Sequence, residues 1–360
     1  MHKPLYNLIK ENNMPTLARP AILHPENIVT NQDMLSFLDN LHHDAPHKQQ
    51  AFKMIKNSAI EKRHMILPLE QILTLQDFGE RGAIYELQAR EMACQAAKTA
   101  LEQALLKPKD ITMVVVTSCT GFMMPSLTAC LINDLDLPAT TIQLPIAQLG
   151  CVAGASAINR ATEHCKASKR NNVLIVALET SSLCFHRSAD RLQDFITDSL
   201  FGDGVAAVVM RADNDCSGFH VTHNQSCFMR DTEAYIQYTL TDSGFKFSLD
   251  KDVMHSISKA APHIDEFITS NAQKKPNELD FYIFHTGGRR IQDEVTRCLA
   301  LSDDALTHSR ACLRDTGNTS SVAVIDVLAR QFSQRSSMEQ GILAAFGPGF
   351  TTEMALGYWQ

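Results

Sequence analysis

A doubled alternation of short apolar runs with helical patterns limits the folds open to this chain more than any other feature. Strand-like runs at Met113–Thr117, Asn172–Ala177, Val205–Met210 and Phe281–Phe284 interleave with helical patterns at Tyr85–Leu105, Cys151–Cys165 and Ser320–Phe332, an order that predicts an α/β fold. The alternation runs once up to about Ala212 and again from about Phe219, with no Pro-, Gly- or Ser-rich linker between. Two similar halves, residues 1–218 and 219–360, are therefore expected to pack together, with a site beyond the carboxyl ends of their strands.

Three strand-to-helix junctions carry polar residues beside glycine. The first passes from Leu144-Pro145-Ile146-Ala147 through Gln148-Leu149-Gly150 to Cys151 and the small-residue run Ala153–Ala157. A cysteine placed so sits at a helix N-terminus, where unpaired N–H groups and the macrodipole favour a thiolate, the form that attacks a carbonyl. The second ends the aromatic run Phe281–Phe284 with His285 and then Gly287 and Gly288, and the third, Asp315–Ser321, presents Asn318 after Gly317. Cysteine, histidine and asparagine together supply a nucleophile, a base and an oxyanion donor, a set suited to thioester chemistry. Taken singly, a buried cysteine, a strand-end histidine or a turn asparagine is usually structural; the weight comes from their shared placement.

Composition narrows the partners. The net charge of −7 comes without long like-charge blocks, which argues against nucleic acid or a polybasic membrane anchor. No stretch reaches the roughly 18 apolar residues of a membrane span, and Met1–Asn7 lacks a signal-peptide core, so a cytoplasmic protein is expected. The ten cysteines include no C-x-x-C pair and fit free thiols in a reducing compartment. His42, His43 and His47 lack the further ligands of a metal site and are expected in a surface loop; no metal is expected.

The motifs Thr117–Pro125, Gln143–Cys151, His285-Thr286-Gly287-Gly288, Gly317-Asn318 and Phe346-Gly347-Pro348-Gly349 occur in the order and spacing of type III polyketide synthases, the chalcone-synthase-like family, which the chain resembles over roughly residues 20–359. The resemblance implies a thiolase fold of five layers, αβαβα, in a homodimer that needs no cofactor beyond its malonyl-CoA or other acyl-CoA substrates. It implies Cys151 as the acyl-carrying nucleophile, His285 and Asn318 as the pair holding the thioester carbonyl, Phe201 and Phe247 as gatekeepers between CoA tunnel and cavity, and Met124 as the residue crossing the dimer interface. Ala345 departs from the family's usual glycine, so that position is not expected to need a positive φ.

The same alignment puts Cys119, Ser181, Cys184, Tyr238 and Ser320 in the acyl cavity. Tyr238 replaces a glycine of plant relatives, which implies a smaller, more polar starter pocket. Malonyl units alone would give a six-carbon triketide on Cys151, which closes through carbon to phloroglucinol or through oxygen to a pyrone. Lys53 best matches a CoA-phosphate contact, with Lys56, Lys62, Arg63, Arg289 and Arg290 as further candidates. The alternatives are a tetrahydroxynaphthalene or alkylpyrone synthase of the same family, an initiating ketoacyl-ACP synthase, which Pro348 argues against, and an inactive acyl-CoA-binding thiolase-fold protein, against which the complete triad argues.

Overall fold

The computed structural model describes residues 14–41, 47–185, 192–213 and 215–360. One hydrogen-bonded path of strands runs through both halves: 281–284, 340–347, 351–359, 219–228, 16–17, 204–211, 172–179, 113–117 and 142–146, with 21–23 added beside 204–211. The two-residue strand Thr16–Leu17 joins the halves, pairing antiparallel with both Met210–Arg211 and Phe219–His220.

Side-chain alternation along these strands builds the layers, because successive residues point to opposite faces. In the strand Asn172–Glu179, Val173, Ile175 and Ala177 face a central cluster, whereas Leu174, Val176 and Leu178 face an outer one with the alanine-rich side of the helix Phe78–Gln103. In the second half Phe281, Ile283, Leu343 and Ala345 face the same central cluster, while Tyr282, Phe284, Ile342 and Ala344 face the helix Ser256–Ala272. Two helices, Ala153–Ala167 and Ala323–Gln331, fill the central layer between the sheet faces. The result is the expected αβαβα stack of two similar halves.

Glycine sets the spacing of the middle layer. A side chain at Gly154 would collide with the Ser321 carbonyl and the Val324 side chain, so only glycine lets the two central helices approach this closely. The helix Phe78–Gln103 begins well before the predicted Tyr85, because the Asp77 carboxylate accepts from the Glu80 N–H at 2.8 Å and caps its first turn. A further lobe packs the helices Asn31–Leu41, Lys48–Lys56 and Leu192–Leu200 around Met34, Leu38, Ile55 and Phe195.

Candidate active site

Cys151 lies in the single 3₁₀ turn Gly150–Val152 that leads into the central helix Ala153–Ala167. The turn needs left-handed backbone at Gln148 (φ 51°) and Gly150 (φ 52°), and it rests on the C-terminal loop: a side chain at Gly347 would meet the Val152 N and Leu149 O at 2.7 and 2.8 Å. Judged by sequence alone the Gly347-Pro348-Gly349 run is merely a turn; in the structure it buttresses the nucleophile. Ala345 lies within the strand Gln340–Gly347, with no left-handed backbone.

Asn318 is held from both sides. Its N–H donates to the Leu200 carbonyl at 2.9 Å and its carbonyl accepts from the Gly202 N–H at 3.1 Å, which also fixes Phe201. The Ser320 N–H donates to the Asn318 Oδ1 at 2.8 Å, which leaves the amide N–H₂ as the end that reaches toward Cys151. His285 follows the strand Phe281–Phe284, its N–H donating to the Ala344 carbonyl at 2.9 Å, and its ring is buried with Nδ1 unpartnered.

Burial governs the electrostatics. It pushes the Cys151 thiol up to about 11, and the Glu179 carboxylate adds to the rise, while Ser320 and Asn318 pull in the other direction. Burial also pushes the His285 imidazole down to about 3. Burial thus opposes the N-terminal field that favours a thiolate at Cys151. A lone thiolate at Cys151 and a lone imidazolium at His285 are both disfavoured by burial.

The sulfur opens onto a cavity of about 780 Å³, counting its mouth. Gly150, Cys151, Ser320 and Pro348 border it beside Cys119, Thr120, Ser181, Ser182, Cys184 and Phe185; the helix 192–200 and its end contribute Thr197, Asp198 and Phe201; the hairpin 236–249 contributes Ile236, Tyr238, Phe245 and Phe247; and Met65, Leu69 and Ile72 complete an apolar end. The aligned cavity residues Cys119, Ser181, Cys184, Tyr238 and Ser320 all meet here. Phe201 and Phe247 stand edge to face with ring centroids 5.1 Å apart, and Tyr238, directly across the hairpin from Phe247, packs on Phe245 at 4.9 Å.

Other candidates lie apart. Gly287 and Gly288 form the turn beside His285, where Gly288 takes φ 140° and a side chain at Gly287 would sit 3.5 Å from the His285 Nε2. Lys53, Arg289 and Arg290 are exposed, but Lys62 and Arg63 belong to the strand Lys62–Met65 rather than a helix. Arg63 is fully buried, donating to Asn31 Oδ1 at 3.2 Å, and cannot contact a phosphate at the surface. Met124 is 86% exposed, away from the cavity. His47 is exposed; His42 and His43 lie outside the described residues. Among the described residues no group of three or more His, Cys, Asp or Glu side chains could hold a metal ion, and no helix is long and apolar enough to cross a membrane.

One important residue escaped the sequence reading. Glu179, at the end of an otherwise apolar strand, is 1% exposed and accepts from the Cys119 N–H (3.1 Å), Thr120 Oγ1 (2.9 Å), Ser320 Oγ (3.4 Å) and Ser321 Oγ (2.6 Å), tying both halves together behind the cavity. Burial raises its pKa while these donors lower it. Its only sequence signal is a lone carboxylate closing an apolar run.

A cysteine at the start of a buried helix, with an asparagine of the second half reaching toward it inside a five-layer stack, fits a thiolase-fold acyltransferase. Comparison with known proteins narrows the class: residues 17–214 match the N-terminal domain of chalcone and stilbene synthases and residues 220–357 their C-terminal domain, so the chain belongs to the chalcone and stilbene synthase family, the type III polyketide synthases. It is 49% identical to phloroglucinol synthase of Pseudomonas fluorescens strain Pf-5 over 96% of this chain and 99% of that one. It is 40% identical to 1,3,6,8-tetrahydroxynaphthalene synthase of Streptomyces griseus, over 96% and 93%. The crystal structure of the tetrahydroxynaphthalene synthase from Streptomyces coelicolor A3(2) superposes with a TM-score of 0.93 at 40% identity, covering 96% of this chain and 99% of that one.

Proposed function

We propose that this polyketide synthase joins three malonyl-CoA units into phloroglucinol, with Cys151 as nucleophile and His285 and Asn318 as the carbonyl-holding pair. The reading is supported most by Tyr238 in the lining of the cavity over Cys151, together with the likeness to phloroglucinol synthase. As the sulfur attacks the thioester carbonyl, the thiol proton passes to His285 and then to the departing CoA sulfur. In the next malonyl-CoA the bond to the carboxylate breaks, and its electron pair becomes an enolate. The oxygen of that enolate takes hydrogen bonds from the neutral His285 ring and the Asn318 amide. The enolate carbon then attacks the acyl group on Cys151 and breaks its bond to sulfur, and the lengthened chain, now a thioester of the extender's CoA, is passed back to Cys151 as that CoA leaves. After two such rounds the starter's carboxylate leaves as CO2, its electron pair stays on the chain's terminal carbon, and attack of that carbon on the thioester carbonyl closes the ring and releases Cys151.

Tyr238 is assigned to starter choice: its ring fills space and its hydroxyl, which has no protein partner among the described residues, faces the acyl chain. Lys53, Arg289 and Arg290 are assigned to the CoA phosphates, and the protein to the cytoplasm. A second copy of the chain is expected against the exposed Phe122, Met124 and Ile142 and the strand Ile142–Ile146, which ends the sheet path. The apolar end at Met65, Leu69, Ile72 and Phe185 favours a second reading, a fatty acyl starter and an alkylpyrone product, and the likeness to tetrahydroxynaphthalene synthase supports that product as the other alternative.

Incubation with labelled malonyl-CoA alone and with hexanoyl-CoA added, followed by mass analysis, tests the proposal. Phloroglucinol as the main product of the wild type supports it; a longer product, or no turnover, overturns it. Tyr238→Gly should shift the starter ratio toward hexanoyl by about tenfold, the worth of a hydrogen bond to a charged group.

A further inference from the structure

Thr197 and Asp198, neighbours near the end of the helix Leu192–Leu200, line the acyl cavity, and neither belongs to the triad, the gatekeepers or the residues aligned with known cavities. Thr197 Oγ1 and Asp198 Oδ2 are both buried and have no hydrogen-bond partner among the described residues. Among the described residues no ion pair joins Asp198 to Lys246, whose charge acts on it only through space. Asp198 is half-buried and forms part of the cavity lining. Burial and the adjacent Asp194 hold its carboxyl well above the usual carboxylate range, so the side chain rests as a neutral acid able to donate a proton in a hydrogen bond.

Two unsatisfied polar groups side by side on an apolar wall are costly unless a ligand completes them. An apolar acyl chain offers no acceptor, whereas the free end of a malonyl group offers two oxygens. We propose that Thr197 and Asp198 form a polar subsite that binds the carboxylate end of a malonyl starter. The Asp198 O–H donates to one carboxylate oxygen and the Thr197 hydroxyl to the other, holding the starter's far end while its thioester remains on Cys151. The inference rests on the malonyl-primed reading and adds the residues that recognise the starter.

A competition between malonyl-CoA and butyryl-CoA as starters, with malonyl-CoA as extender in both cases, gives a product ratio that reads the subsite directly. Asp198→Leu, which keeps the bulk and removes the donor, should move the ratio toward butyryl-primed products by roughly tenfold. Asp198→Asn, which keeps a neutral donor, should stay within about threefold of wild type, a rescue that a packing role would not produce. A ratio unchanged by Asp198→Leu, or moved equally by Asn and Leu, overturns the subsite. Should Asp198→Leu fail to fold by its melting curve, the isosteric Thr197→Val decides by the same criterion. If the wild type does not self-prime with malonyl-CoA, the malonyl reading itself fails; if it does and the variants leave the ratio alone, only the subsite fails.

Discussion

The two central helices begin in almost the same way, yet only one start is made for chemistry. In the first half the turn Gly150-Cys151-Val152 leads to Ala153; in the second Ser320-Ser321-Val322 leads to Ala323, and Gly150 and Ser320 share a left-handed φ of 52° and 51°. Position by position Cys151 corresponds to Ser321. The Ser321 hydroxyl is fully buried and committed to Glu179 at 2.6 Å, whereas the Cys151 sulfur borders the cavity. A helix N-terminus is therefore not a site by itself; what distinguishes the two is an uncommitted nucleophile facing open space.

The largest test of this contrast exchanges each small residue for alanine. Cys151→Ala should abolish condensation and the acyl adduct seen by intact-protein mass spectrometry. Ser321→Ala should keep the adduct and lose about 1–3 kcal/mol of stability with the Glu179 hydrogen bond. An adduct on the Cys151→Ala protein, or none on Ser321→Ala, would erase the distinction. Next in size, Asn318→Ala should slow malonyl-CoA decarboxylation by on the order of 10²–10³ with little change in CoA binding, as expected for loss of an oxyanion donor.

Proton transfer provides a smaller effect. Burial holds the wild-type Cys151 thiol near 11, so free thiolate is scarce at neutral pH and fast alkylation there needs His285 to take the proton. Iodoacetamide labelling of His285→Ala at pH 7 should then be roughly tenfold or more slower than in wild type and climb more steeply with pH. Identical pH profiles would remove His285 as the proton acceptor. The smallest effect concerns the matched left-handed positions. Gly150→Ser should cost about 1–2 kcal/mol, because the conformation is unfavourable with a side chain and Pro348 lies 3.1 Å from the new Cβ, and Ser320→Gly should not destabilise by as much. Equal thermal shifts for the two would show that the turns are not energetically alike.

The elements were legible where one physical signal dominated. The strand at Phe281–Phe284 has the predicted ends, because an apolar run there stops at a polar residue and two glycines. The start of the helix Phe78–Gln103 was not legible from apolar spacing, since its first turns depend on the Asp77 cap. The candidate residues Cys151, His285 and Asn318 stand out in the sequence at three glycine-flanked junctions, while Glu179, Thr197 and Asp198 do not. Their meaning comes from which distant hydroxyls and cavity walls the fold brings near them. Arg63 shows the reverse error: its charge suggested a surface, but the pairing of Lys62–Met65 with Asn27–Thr30 takes it inside.

The shared middle layer has a consequence for biosynthesis. Helix 153–167 leans on strands that the ribosome makes more than a hundred residues later, including 340–347 and 351–359. Until those strands arrive, one flank of the helix stays open to water and Cys151 lacks the enclosure that raises its pKa. A nascent chain carries an exposed thiol and a sticky apolar helix at once, so the final strands act as the closure that renders the newborn enzyme chemically safe.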